Sequence, residues 1–218
     1  NAVGLQRDVE TLLHEAGHAF HTLAAQEEDI HEYQHAPLEF CEVASMSMEF
    51  IGNEHMEQFY SEEDSVRARR QHLEGVLGLF PWIATVDAFQ HWIYTNPEHS
   101  VEDRDKAWNG LLDRFGGDID WSGHELARTK MWHRQSHIFL VPFYYIEYGI
   151  AQLGALGVWN NSKSDRAKAL ADYKKALALG GSRPLPELFA TANIPFRFDA
   201  EAFKPLIELV QTELAALK

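Results

Sequence analysis

The chain has 218 residues, of which 45% are hydrophobic and 24% charged, enough apolar material for a sizeable core. Nineteen basic residues against 33 acidic ones leave a net charge of −14, which argues against binding nucleic acid through phosphate neutralisation. The single cysteine, Cys41, excludes intrachain disulfides, Cys-x-x-Cys redox chemistry and a Cys-rich zinc site, and makes cytoplasmic residence the default expectation.

Apolar residues recur at helical spacing almost throughout and strict alternation is absent, so the expected fold class is all-α. No basic region followed by an apolar run opens the chain, and no signal peptide is visible. Asn1 stands where a methionine would, so processing or a missing N-terminal partner is expected. A first helix is predicted over 7–26, with Asp8 and Glu10 near its positive end. Residues 27–35, rich in acids and histidines, read as a loop. A second helix is predicted from Pro37 to Gly52, since proline suits a first turn and Gly52-Asn53 a stop.

A long helical pattern follows from Ser61 to Thr95, with a kink expected at Pro81. Another helix spans Val101 to Phe115, stopped by Gly116-Gly117, and a short one lies near 124–132. Pro142 is expected at or near the start of a tyrosine-bearing helix. The stretch 139–159 is apolar enough to suggest a membrane span, but Glu147, Pro142 and three tyrosines favour a buried core helix. The remaining helices are predicted over 164–179, 184–190 and 200–217.

His14-Glu15-Ala16-Gly17-His18 is a His-Glu-x-x-His match inside the first predicted helix. Histidines four apart share one helix face, so both imidazoles reach one metal ion and the intervening glutamate reaches a water beside it. A catalytic zinc needs a third protein ligand and an open fourth position. The metzincin pattern requires glycine at 21 and histidine at 24, where His21 and Ala24 stand, and is excluded. Thermolysin-like spacing calls for glutamate near 38, where Leu38 stands, with Glu39 one residue off. Glu42 is the stronger candidate, because it sits in a largely apolar helix where an unpaired carboxylate is expensive. Glu39, Glu42, Met46 and Glu49 nevertheless fall on one face, so spacing alone does not choose among the three acids. Glu54 is a weaker contender at the helix end.

The segments Asp8 to His21 and Phe40 to Ser45 resemble the zinc-site core of the thimet oligopeptidase and oligoendopeptidase F family. His137-Ile138-Phe139, Pro142 to Tyr148 and Gly180 to Phe189 resemble its oligoendopeptidase F branch, so the similarity spans nearly the whole chain. The resemblance implies a helical zinc metalloendopeptidase acting on short peptides inside a deep channel, with one Zn(2+) per chain. It makes Glu42 the third ligand and Glu15 the general base. Members of the family carry a long helical portion before the zinc helix, which forms the opposite channel wall. Residues 1–218 are therefore expected to be the C-terminal part of a metallopeptidase catalytic domain, completed by an N-terminal fragment or a second chain.

A tyrosine-rich helix is ordinarily packing. A peptidase, however, needs donors aimed at an oxyanion, and the family uses a histidine and tyrosines for this, with His137 and Tyr148 the best matches. Tyr144 and Tyr145 stand at spacings of four and three from Tyr148 and are not separated by the pattern. Glu10, one turn before His14, is a candidate to orient a ligand imidazole, or simply an acid at a helix N-terminus. His21 is expected to be structural or channel-lining, and the remaining histidines, His31 and His35 among them, to be solvated.

Two other functions are weighed. One is a catalytically incomplete zinc-binding fragment. The other is a dinuclear carboxylate bundle, suggested by Glu-x-x-His at 15–18, 28–31 and 32–35. No nucleic-acid or membrane partner is expected.

Overall fold

The computed structural model describes residues 2–217, and all regular structure among them is helical. The α-helices are α1 (Gln6–Ala25), α2 (Leu38–Asn53), α3 (Glu62–Thr95), α4 (Val101–Phe115), α5 (Glu125–Thr129), α6 (His137–Leu140), α7 (Ile146–Ser164), α8 (Arg166–Leu177), α9 (Leu185–Thr191) and α10 (Ala200–Ala216). Short polar residues start several of them. Asp8 accepts hydrogen bonds from the backbone N–H of Val3 (2.8 Å) and Leu5 (2.9 Å) ahead of α1. Ser100 and Asp103 cap each other's backbone at α4, and Asp165 caps α8 through the N–H of Lys168. Each satisfies donors that the helix itself leaves open.

Two expectations about these elements change. The 27–35 loop contains a 3₁₀ turn at His31–Gln34. The tyrosine helix does not begin at Pro142. Proline lacks an N–H, and Phe143 enters the left-handed region (φ 63°), so the helical ladder starts only at Ile146. Tyr144 and Tyr145 therefore lie on a turn before α7, and the spacing argument that put them on a helix face with Tyr148 does not hold. Pro81 sits inside α3, which continues to Thr95.

The chain divides into two compact units, one made of the residues up to Val76 and those from Ile150 onward, the other of Leu77–Gly149. The boundaries fall inside α3 and α7. In the first unit α2 is central and buries Phe40, Val43, Ala44 and Phe50. Phe50 stacks on Trp159 of α7 (centroids 4.9 Å apart), and Phe40 packs on Phe189 of α9 (5.9 Å). In the second unit Val86 and Phe89 of α3, Trp108 and Leu112 of α4, Trp132 and Ile138 form the core.

The crossing of α1 on α2 is set by Gly17. A Cβ there would lie 2.5 Å from Ser45 Cα and 2.8 Å from the Ala44 carbonyl oxygen, so only glycine allows this approach. The loop between α1 and α2 is held from later in the chain as well. Gly180 (φ 49°) leaves no room for a side chain, its Cβ position being 2.1 Å from the Tyr33 carbonyl oxygen. The N–H of Gly181 donates to that same carbonyl (2.7 Å). No helix among the described residues is long and apolar enough to cross a membrane.

Candidate metal centre and aromatic site

Because α1 and α2 touch through Gly17, the imidazoles of His14, three residues before it, and His18, the residue after it, face α2. His14 Nε2 lies 3.3 Å and His18 Nε2 4.0 Å from the same carboxylate oxygen of Glu42. The ligand atoms of His14, His18 and Glu42 all fall within 4.8 Å of one another, the one such group among the described residues. Donors about 2.0–2.1 Å from a tetrahedral zinc are about 3.4 Å apart, so the spacing suits that ion. The Ser45 hydroxyl donates to the same Glu42 oxygen (3.2 Å) and steadies it.

The other nitrogen of His14 is also engaged. Its Nδ1 is 2.6 Å from Glu49 Oε1. A carboxylate only accepts, so Nδ1 carries the hydrogen and Nε2 is the nitrogen left for a metal. Glu49 in turn receives His72 Nε2 of α3 at 3.3 Å, and His72 Nδ1 lies 3.2 Å from Asn53 Nδ2. His72 is buried, with its ring edge on Phe50.

Burial opposes charge on His14, but the hydrogen bonds it donates to Glu42 and Glu49 and their charges outweigh it and raise the imidazole to about 10. Burial likewise opposes ionisation of Glu42 and Glu49. For Glu42 the partners that overcome it are His14, His18 and Ser45, for Glu49 His14 and His72, and both carboxyls end below their ordinary values. Glu15 is exposed on α1 between the two histidines and makes no side-chain hydrogen bond or ion pair among the described residues.

In the second unit the predicted oxyanion donors come together. His137 Nε2 is 3.3 Å from the Tyr148 hydroxyl, and His137 Nδ1 is 2.6 Å from Gln135 Nε2. Tyr144 and Tyr145 both pack edge-on against Tyr148, with centroids 5.5 and 5.2 Å away. The Tyr145 hydroxyl accepts from the Trp82 indole N–H at 3.0 Å, and burial pushes that phenol up.

A family model described as peptidase family M3 matches residues 5–204. The chain belongs to peptidase family M3. An oligoendopeptidase F homolog from Borreliella burgdorferi is 25% identical over 192 residues, covering 85% of this M3 chain and 32% of that protein. Among solved structures, PZ peptidase A with inhibitor 2 is 35% identical with a TM-score of 0.90, covering 99% of the M3 chain and 38% of the other. A protein assigned as an oligoendopeptidase F is 38% identical with a TM-score of 0.89, again covering 99% and 38%. The M3 chain thus spans 32–38% of the length of these relatives.

Several predicted positions in the M3 chain are placed differently by the fold. The carboxylate that receives His14 Nδ1 is Glu49; Glu10 instead accepts from the Gln6 side chain (3.3 Å). Glu54 is committed to Lys163 (3.1 Å) and Arg166, outside the cluster. His21 takes the structural place expected of it: it is 4% exposed, packs its ring on Phe40, and leaves Nε2 without a partner. Burial, with the charge of His18 adding to it, lowers His21 to about 4 and keeps it neutral. His72 is the residue sequence reasoning missed, since it was expected to be solvated with the other histidines. Its signal was faint: a histidine on the apolar side of α3, beside Leu73 and Val76, which are also buried.

Proposed function

We propose that this chain is the zinc-binding, C-terminal part of a metallopeptidase catalytic domain that hydrolyses short peptides. The convergence of His14, His18 and Glu42 carries the reading, and the names of the relatives, oligoendopeptidase and PZ peptidase, support a peptide substrate. Nε2 of each histidine and a carboxylate oxygen of Glu42 would hold one ion per chain. Bound zinc supplies Lewis-acid chemistry, polarising a carbonyl and lowering the pKa of a water.

Glu15, uncommitted and one residue from His14, is the general base. It takes a proton from the attacking water and delivers it to the leaving amine nitrogen as the C–N bond breaks. Tyr148 and His137 donate to the carbonyl oxygen as it gains charge. Tyr144 and Tyr145, whose rings both pack on Tyr148, are the candidates to assist it. The remaining length of the protein, supplied by the same or another chain, would complete the substrate channel. A dinuclear bundle is not favoured, as the Glu-x-x-His pairs at 28–31 and 32–35 do not join any metal-ligand group among the described residues.

The test is Glu15→Gln in the intact protein. The amide cannot take the proton, so turnover should fall by about a hundred- to ten-thousandfold while zinc stays at one ion per chain. Near-normal turnover, or a metal content of two irons, overturns the reading.

A further inference from the structure

We infer that His72 and Asn53 are positioning residues for the metal centre: a relay from Asn53 through His72 and Glu49 fixes which nitrogen of His14 is offered to the ion. The inference rests on the proposed zinc site and extends it to residues that touch neither metal nor substrate.

The direction of every hydrogen in the relay follows from one fact, that Glu49 only accepts. Its Oε1 receives His14 Nδ1–H at 2.6 Å and its Oε2 receives His72 Nε2–H at 3.3 Å. In a neutral His72 the hydrogen on Nε2 makes Nδ1 an acceptor, and the group beside Nδ1 is the Asn53 amide nitrogen at 3.2 Å, which only donates. The opposite tautomer would turn a lone pair toward a carboxylate at one end and face two hydrogens at the other. With His72 neutral the four side chains therefore have one consistent arrangement, and it leaves His14 Nε2 as the nitrogen directed toward Glu42 and His18.

The relay is built into the packing. Glu49 and Asn53 lie four apart on α2 and share a face. His72 enters from α3 with its ring against Phe50, and both His72 and Asn53 are 8% exposed. A buried imidazole with both nitrogens engaged is held in orientation, and it keeps Glu49 from turning away from His14. Groups that orient a ligand in this way commonly contribute about ten- to a hundredfold to metal affinity.

The experiment measures zinc affinity of the intact protein by competition with a chromophoric chelator, with melting of the metal-free protein beside it. His72→Leu removes the donor to Glu49 and should weaken zinc binding about ten- to a hundredfold. His72→Gln, whose amide nitrogen can still donate to Glu49, should recover most of that loss. Asn53→Leu should cost less, a fewfold. Long-range ¹H–¹⁵N spectra of the unsubstituted zinc-loaded protein should show His72 protonated at Nε2 and His14 at Nδ1, a reading that stands even where a variant does not fold. Wild-type zinc affinity in His72→Leu, no recovery in a folded His72→Gln, or a neutral His72 protonated at Nδ1 would overturn the relay. His14→Ala and His18→Ala separate the two failures. If they keep stoichiometric zinc, the metal site itself is wrong, whereas if they lose it and His72→Leu does not, only the relay is.

Discussion

The two candidate clusters of this chain are held by different physics. The His14, His18 and Glu42 cluster sits on two long helices pressed together until backbone meets backbone at Gly17. Its outer groups are locked by hydrogen bonds to Glu49, Ser45 and His72. The His137 and Tyr148 cluster sits on a four-residue helix, a turn through a left-handed Phe143 and the first turn of α7, and most of its organisation is ring against ring. Helical spacing therefore put His14 and His18 on one face in the first cluster, without choosing the carboxylate, and misplaced Tyr144 and Tyr145 in the second. Substitutions should separate the clusters in the same way, with metal retention the readout for one and turnover for the other.

The largest effect expected is on metal. His14→Ala or His18→Ala should abolish stoichiometric zinc. Glu42→Gln should weaken it more than Glu49→Gln, for which a loss of about ten- to a hundredfold fits a group that orients a ligand, and Glu39→Gln should leave it unchanged. Zinc content after dialysis ranks all three acids. Were Glu49→Gln to strip the metal while Glu42→Gln kept it, the two carboxylates would have to exchange roles.

In the aromatic cluster, Tyr148→Phe keeps the ring and removes only the hydroxyl. Turnover should fall about ten- to a thousandfold with little change in KM. Tyr145→Phe should in addition cost about 1 kcal/mol of stability through the lost Trp82 hydrogen bond. Measuring kcat and melting on both variants, with Tyr144→Phe beside them, sharpens the contrast; equal turnover in Tyr148→Phe and the unsubstituted enzyme would return Tyr148 to packing.

Gly17→Ala tests the backbone contact. The added methyl group has no space against Ser45 and Ala44, so α1 must shift, with a loss of about 1–3 kcal/mol and weaker zinc binding. A variant that melts and binds like the parent would mean that the crossing is set elsewhere.

The smallest effect is a pH dependence of the metal-free protein. His14 is raised from 6.5 to about 10, so its contribution to stability is full below about 6.5 and is lost as pH rises through about 10. Glu42 and Glu49 are lowered from 4.5, so theirs is present above 4.5 and is lost as pH falls through the lowered values. The metal-free protein should thus melt highest between about 4.5 and 6.5. Zinc must displace the His14 proton, so its stabilisation should grow as pH rises above that window. A melting curve flat in pH for the chelated protein would contradict the double carboxylate grip on His14.

Much of this was legible without coordinates. The all-helical fold, most helix ends, and the shared face of His14 and His18 follow from periodicity and capping, because these depend on neighbours a few residues away. The choice among Glu39, Glu42 and Glu49 does not, since all three fall on one helix face and differ only in where α1 crosses. That crossing is decided by hard-sphere contact at Gly17, between segments almost thirty residues apart in sequence. It sets Glu42 against Nε2 and Glu49 against Nδ1 of the same imidazole. His72 joins from a third helix, through burial that no local pattern reports, and Phe143 breaks the tyrosine helix through a backbone conformation its residue type disfavours. The helices and the histidine pair were written in the sequence; which carboxylate serves which nitrogen was decided only when three helices packed.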